Sequence, residues 1–413
     1  MIKTDELPMI QIGIIGKTNT GKTTLFNAAT LLSAEVSTYP FTTKKPNIGT
    51  AYVRTLCVCK ELEVKDAPRN SACMDGWRFI PIELVDLPGL IKGSWSGMGL
   101  GDRFLSVASQ ADALIHVADA SGGIDAEGKL TRPGLGNPIM DIYDVEEEIM
   151  LWFAKSIAKS VKGIRKKADS GEPLKKSLYR SLAGLKVRPE HIEKALENSF
   201  LEKKSVKKWS DKDLKLFAQE IRKLSKPTVI IANKMDIANA STNYEHMIEE
   251  FKGSFVVPAC SEAELALRRA ETKGLIRYVP GEEKFQVLNK RKLTKEQQWA
   301  LNYVQERVLT RWVNTGVQFA INMCILKLLG MNTVYPVEDV KKMSDHAGKV
   351  LPDVFLIPYH ADVRYLAKEI HTELEKTMLH AIDARTGLRL PTDYVLKDRD
   401  VISIIAAARK KRA

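Results

Sequence analysis

Apolar positions cluster into short runs along much of the chain. MIQIGII, at 9–15, reads as a buried strand, and LFNAATLL, after the loop GKTNTGKTT (16–24), continues as a helix. Strand-like runs recur at FIPIELVD (79–86), ALIHVAD (113–119), PTVIIAN (227–233) and SFVVPA (254–259), with helical or loop segments between several of them. Strands alternating with helices predict an α/β fold, a mostly parallel sheet with helices on both faces. His116, inside ALIHVAD, reads as a packed strand residue rather than a catalytic base.

The alternation breaks between 127 and 226. After the turn-rich TRPGLGNP, the residues Ile142, Val145, Ile149, Phe153, Ile157, Val161 and Ile164 recur three or four apart, one apolar face of a long helix. SGEP (170–173) ends it, and further helices are expected near 174–186, 190–199 and 211–224. The pattern predicts an inserted α-helical domain built on an antiparallel, coiled-coil-like hairpin. Beyond SFVVPA, SEAELALRRAE reads as a helix and 273–293 as a linker. Thr294 and Gln297 make a T-x-x-Q capping box that opens a helical stretch to about Leu329. In the tail, TVYPVE, DVFLIP, HAIDA and YVLKDRDVISII surround the helix VRYLAKEIHTELEK, which predicts a small α+β domain. The expected boundaries are 9–126 with 227–293 for the sheet domain, 127–226 for the insertion, 294–331 for a helical connector and 332–408 for the α+β domain.

Composition narrows the class. The 413 residues are 44% apolar and 28% charged, the profile of a globular protein of roughly two to four domains. No apolar run approaches the roughly 18 residues of a membrane span, and MIKTDELPMIQ lacks a signal-peptide core, so a cytoplasmic protein without a membrane partner is expected. The five cysteines are then expected to be reduced. Cys57, Cys59 and Cys73 invite a metal reading, but no fourth cysteine follows and no histidine lies near. They are read instead as ordinary strand and loop thiols.

Charge is more informative. Residues 154–226 carry 21 Lys and Arg against 9 Asp and Glu, a net of +12 that equals the charge of the whole chain. A basic segment beside a neutral remainder points to a polyanionic partner, most readily RNA; a solvated helical surface is the alternative.

Three spaced motifs carry the chemistry. Gly16-x4-Gly21-Lys22-Thr23 fits a phosphate-binding loop between a strand and a helix. Its backbone N–H groups, including those at Asn19, Thr20 and Thr24, can approach phosphates. Lys22 reaches the β/γ oxygens and the Thr23 hydroxyl ligates magnesium. Asp86 ends a strand as a second magnesium-linked group, and D-x-x-G places Gly89 at the γ-phosphate. Asn233-Lys234-Met235-Asp236 follows an apolar run. Asp236 can accept two hydrogen bonds from the guanine N1–H and N2–H2 edge, a pair adenine lacks, while Asn233 and Lys234 brace the loop. The position after Gly89, where many GTPases place a water-orienting glutamine, is Leu90.

YPFTTKKPNIG (39–49), DLPGLIKG (86–93) and GMGLGDRFL (97–105) resemble the switch segments of the Obg-related GTPases. The resemblance implies Thr43 as the switch threonine that meets magnesium and the γ-phosphate, with Thr42 its close competitor. A helical domain between the Asp119 strand and NKMD resembles the YchF (Obg-like ATPase) family, of archaeal type. The tail, with IHTELEK and TGLRLPTDYVLKDRDVI, resembles a TGS domain, a β-grasp module. Family members often carry Glu at the end of the base motif and favour ATP; Asp236 argues for GTP. Cys260-Ser261 stands where the family has Ser-Ala, and is expected to meet the base through backbone N–H. Related GTPases with asparagine at the position of Asn19 hold potassium beside the phosphates, so potassium joins magnesium as an expected ion. A bond of Asn19 within its own loop is the equal alternative.

The reading is a P-loop GTPase, slow by itself, that cycles between GTP and GDP and engages the ribosome or its RNA through the basic helices and the TGS domain. An ATPase of the same architecture and a nucleotide-gated protein adaptor remain the alternatives.

Overall fold

The structure, a computed structural model, describes residues 9–31, 46–89, 93, 101–167 and 172–407, without side chains at 101–104 and 167. Two compact units emerge. One holds Ile10–Ala51 and Glu83–Cys324; the other holds Tyr52–Ile82 and the chain from Ile325 onward. This division cuts across the boundaries expected from sequence: the helical insertion shares a unit with the sheet domain, and residues 52–82 group with the tail.

The chain runs through β1 (Gln11–Ile15), α1 (Lys22–Thr30), β2 (Asn47–Leu56), the one-turn α2 (Val58–Glu61), β3 (Ala72–Met74) and β4 (Trp77–Asp86). Next come α3 (Gly101–Ala108), β5 (Ala113–Asp119) and four helices, α4 (Pro138–Lys167), α5 (Leu174–Leu182), α6 (Pro189–Asn198) and α7 (Asp211–Ser225). β6 (Thr228–Asn233), α8 (Ala240–Glu250), β7 (Val256–Pro258) and α9 (Ser261–Thr272) complete the α/β pattern. The sheet order is β2-β4-β1-β5-β6-β7, and β4, β1, β5, β6 and β7 pair in parallel. Register sets Ile14 beside Asp86 and Ile115, and Asp119 beside Asn233. Strand order reverses at β1, so the loop after it opens at the carboxyl edge of the sheet, where parallel α/β sheets bind ligands.

The seven apolar residues from Ile142 to Ile164 are all buried, as their spacing requires. α4 packs on α5 and α7, and α6 bridges those two. Trp152, Leu178, Leu196, Trp209 and Phe217 fill the space between them in a core that runs on to Ile15, Val85 and Leu114 of the sheet. The insertion is α-helical, as expected: Leu178 and Leu182 of α5, Ile192 and Leu196 of α6 and Phe217 of α7 share one buried cluster with the apolar face of α4. Ser210 and Asp213 cap α7 reciprocally.

The expected linker 273–293 contains a small hairpin, β8 (Ile276–Arg277) with β9 (Gln286–Val287). The Thr294–Gln297 capping box is formed, with N···O distances of 3.3 and 3.0 Å. The helix it opens is not continuous. α10 (Lys295–Val304) passes through a wide π turn, Gln305–Leu309, into α11 (Thr310–Trp312). The backbone then reverses at Val313 (φ 69°) before α12 (Val317–Asn322), where the Thr315 carbonyl accepts from Cys260 N at 2.9 Å.

In the other unit, β10 (Met331–Pro336), β11 (Phe355–Pro358), α13 (Val363–Ile370), α14 (Thr372–Thr377), β12 (Met378–Asp383), β13 (Arg389–Leu390) and β14 (Asp400–Ala406) form the expected α+β domain. Its sheet order is β11-β10-β14-β12-β13, with β10 and β14 parallel. The single expected helix divides at His371, whose extended backbone and Nδ1, accepting from Glu373 N at 3.1 Å, start α14 anew.

Candidate nucleotide-binding site

The loop after β1 turns at Gly16 (φ 143°) and enters α1 at Gly21 (φ 100°), both in backbone regions that favour glycine. At Gly21 a Cβ would also lie 2.2 Å from Asn233 Nδ2, so the close approach of β6 needs glycine there. Thr20 Oγ1 donates to the Lys17 carbonyl at 3.1 Å and Lys22 Nζ donates to the same oxygen. Burial pulls Lys22 down to about 8, against the attraction of Asp86. Thr24 follows on α1, half-buried.

Asp86 lies at the end of β4, fully buried. Its Oδ2 accepts from Thr23 Oγ1 at 2.8 Å and from Asn47 Nδ2 at 3.3 Å, while Oδ1 has no hydrogen-bond partner among the described residues. Burial raises its pKa, with Lys22 opposing. An orphaned carboxylate oxygen beside a threonine hydroxyl is a donor set of hard oxygens, which fits magnesium. Gly89 lies against Thr18: a Cβ there would come within 2.8 Å of Thr18 N. Thr42, Thr43 and Leu90 lie outside the described residues.

At the other end of the loop the base motif is bonded into place. Asn233 Nδ2 donates to Thr20 O at 2.9 Å, and its Oδ1 accepts from Ser261 N and Oγ at 3.0 Å. Lys234 Nζ donates to Asn19 O at 2.8 Å and Asp119 Oδ2 at 2.7 Å. Asp236 Oδ1 accepts from Cys260 Sγ at 3.0 Å, and Oδ2 accepts from the Tyr303 hydroxyl at 3.2 Å. Burial and the neighbouring carboxylate push the Cys260 thiol up, so it stays a donor.

Three partners of this site were not read from sequence. Tyr303 comes from α10, 67 residues from Asp236, with no local signal. Asp119 ends its strand without a sequence signal for its role, yet its carboxylate accepts from Lys234 Nζ. The Gly128 carbonyl accepts from both Thr18 Oγ1 and Asn19 Nδ2 at 2.9 Å, so the turn-rich segment after β5 seals one side of the loop. Beside it, Lys17 Nζ pairs with Asp141 at 2.8 Å and Asp144 at 2.6 Å.

Family models match in the same order as the motifs. Residues 11–142 match the 50S ribosome-binding GTPase model, 231–339 the Obg-like GTPase YGR210-like, G4 motif-containing domain, and 348–406 the TGS domain. A GTP-binding protein of Methanocaldococcus jannaschii is 42% identical over 97% of this chain and 100% of its own length. The chain belongs to the YchF/Obg-like family of P-loop GTPases. A GTP-binding protein of Pyrococcus horikoshii OT3 has a crystal structure that matches with a TM-score of 0.78 at 34% identity, covering 96% of this chain and 100% of that one. The ribosome-binding ATPase YchF of Escherichia coli O157:H7 is 27% identical over 95% of this chain and 98% of its own. The enzyme class follows from the family: a nucleoside triphosphate phosphohydrolase with a C-terminal TGS domain. No helix among the described residues is long and apolar enough to cross a membrane.

Proposed function

We propose that this GTPase is a slow, GTP-selective switch that engages ribosomal RNA. The carrying observation is Asp236, whose carboxylate stands at the end of a motif already bonded to the phosphate loop through Asn233 and Lys234. Guanine N1–H and N2–H2 would replace the Cys260 thiol and Tyr303 hydroxyl on its two oxygens; adenine has no donor pair to do so. Competition of GTP against ATP at equal magnesium tests this, and equal affinity would refute it.

Asp86 Oδ1 and the Thr23 hydroxyl would hold magnesium, with Thr43 joining them by family resemblance. When bound, that ion supplies charge neutralisation for the phosphates. Lys22, charged at neutral pH, would exchange the Lys17 carbonyl for the β/γ oxygens. The loop N–H groups from Asn19 to Thr24 would orient the phosphates. With leucine at position 90 no side-chain amide follows Gly89 to orient water, which supports slow turnover; Leu90→Gln is expected to raise the single-turnover rate. The amide nitrogen of Asn19 is engaged by Gly128, and a potassium ion would use its oxygen. Hydrolysis faster in potassium than in sodium is the expected sign of that ion, and equal rates would remove it.

The RNA partner rests on the insertion. Lys159, Lys162, Lys176, Lys203, Lys212 and Lys215 are exposed, whereas Arg222 pairs inside with Glu146 at 2.8 Å and buried Lys226 donates to Ala111 O at 2.7 Å. The exposed cations are suited to phosphate contacts, and relatives bear the name ribosome-binding ATPase. Ribosome pull-down with the GTP-analogue and GDP forms, with and without ribonuclease, decides. Nucleotide-dependent capture that survives ribonuclease would favour a protein adaptor instead.

A further inference from the structure

Away from the nucleotide site, the unit that holds Tyr52–Ile82 brings three cysteines and one aspartate to a single point. Cys57 caps α2, Cys59 lies in its only turn, Asp66 follows in the loop, and Cys73 stands on β3. Their sulfur and carboxylate atoms all lie within 4.8 Å of one another. Cys59 and Cys73 Sγ are 3.8 Å apart, and Cys57 Sγ is 3.3 Å from Asp66 Oδ2. Zinc–sulfur bonds of about 2.3 Å and zinc–oxygen bonds of about 2.0 Å at tetrahedral angles put ligand atoms roughly 3.5–3.8 Å apart. A disulfide between Cys59 and Cys73 would need sulfurs at about 2.0 Å.

We propose that Cys57, Cys59, Cys73 and Asp66 form a structural zinc site. The sequence does not display it because the fourth ligand is a carboxylate, a residue type too common to mark a metal site by itself. Arg78, directly opposite Cys73 in the β3–β4 hairpin, donates to Asp66 Oδ2 at 2.8 Å and to the Leu351 carbonyl. It is fully buried, fixes the carboxylate and offsets part of the negative charge of a Cys3Asp zinc site. Burial raises the Cys57 and Cys73 thiols above the usual thiol range. The site would staple α2, the 62–71 loop and β3 together. That loop continues to the edge of the tail domain: Ala67 N and Arg69 N donate to Val350 O and Pro352 O at 2.8 and 2.7 Å, and Asn70 exchanges two bonds with Val354.

The test is metal analysis of the full chain purified under reducing conditions, followed by cobalt(II) titration of the metal-stripped protein. About one zinc per chain and a thiolate-to-cobalt charge-transfer band are expected. Cys73→Ser should lose the zinc and the band, Asp66→Asn should weaken zinc binding by about tenfold or more, and Cys324→Ser, a buried cysteine elsewhere, should keep both. Wild-type protein that holds no zinc and gives no thiolate band with cobalt would overturn the site, as would a Cys59–Cys73 disulfide in the protein as isolated. Unchanged zinc affinity in Asp66→Asn would overturn the fourth ligand.

Discussion

The two ends of the nucleotide site differ in how their polar groups are satisfied. At the base end, Asn233 and Lys234 spend their side chains on Thr20, Ser261, Asn19 and Asp119, and Asp236 is covered by Cys260 and Tyr303. At the phosphate end, among the described residues, Asp86 keeps a buried oxygen with no hydrogen-bond partner, and buried Lys22 donates to the Lys17 carbonyl with Asp86 nearby. The polar groups of the base end are paired within the protein. The phosphate end carries charge that a cation and an anion would complete. Recognition and catalysis therefore place different demands on the same loop.

The comparison breaks most visibly at Asp236. Asp236→Ala should collapse the preference for GTP over ATP by about 10³-fold or more in competition assays, because the guanine donor pair loses its acceptor. If preference survived, the base end would not be the reader. Next in size, Lys22→Ala should lower single-turnover hydrolysis by about 10²–10³-fold.

Stability separates the two ends without nucleotide. Asn233→Ala should cost about 1–3 kcal/mol in urea unfolding, since Thr20 O and the Ser261 N–H lose a buried partner. Asp86→Asn should be neutral or stabilising in the nucleotide-free protein, because it removes a buried carboxylate while an amide oxygen can still accept from Thr23. Equal destabilisation by both changes would erase the distinction.

The smallest effect is on pH. Lys22 in the free protein loses its proton near pH 8 rather than 10.5, and bound phosphates raise that value. Binding above pH 8 then takes up a proton, so nucleotide affinity should fall with rising pH by at most about tenfold per unit, measurable by titration calorimetry in buffers of different ionisation heat. The stability of the free protein moves oppositely through this group. The unfolded lysine holds its proton up to about 10.5, so stability rises between pH 8 and 10.5.

Much of this was legible beforehand because its carriers are local. Strand, glycine loop and helix lie within about twenty residues, and the backbone alone makes a phosphate cradle of them. The apolar face of α4 was equally plain, since helical period is a property of one segment. What α4 packs against was not, because the partners of an apolar face come from other segments that its own period does not name. The break at Val313 was hidden as well: Thr315, two residues on, accepts from Cys260 N of a distant segment, a meeting that the local sequence does not encode.

By itself, the sequence specified the phosphate-loop, strand-end aspartate and N-K-x-D motifs, since each is a set of residue types at fixed short spacing. Tertiary structure alone decided that Asn233 would hold Thr20 across 213 positions, that Tyr303 would cover Asp236, and that Asp66 would complete a group of three cysteines. Sheet register and loop packing set those meetings. They depend on where distant backbones stop beside one another, which no local spacing encodes.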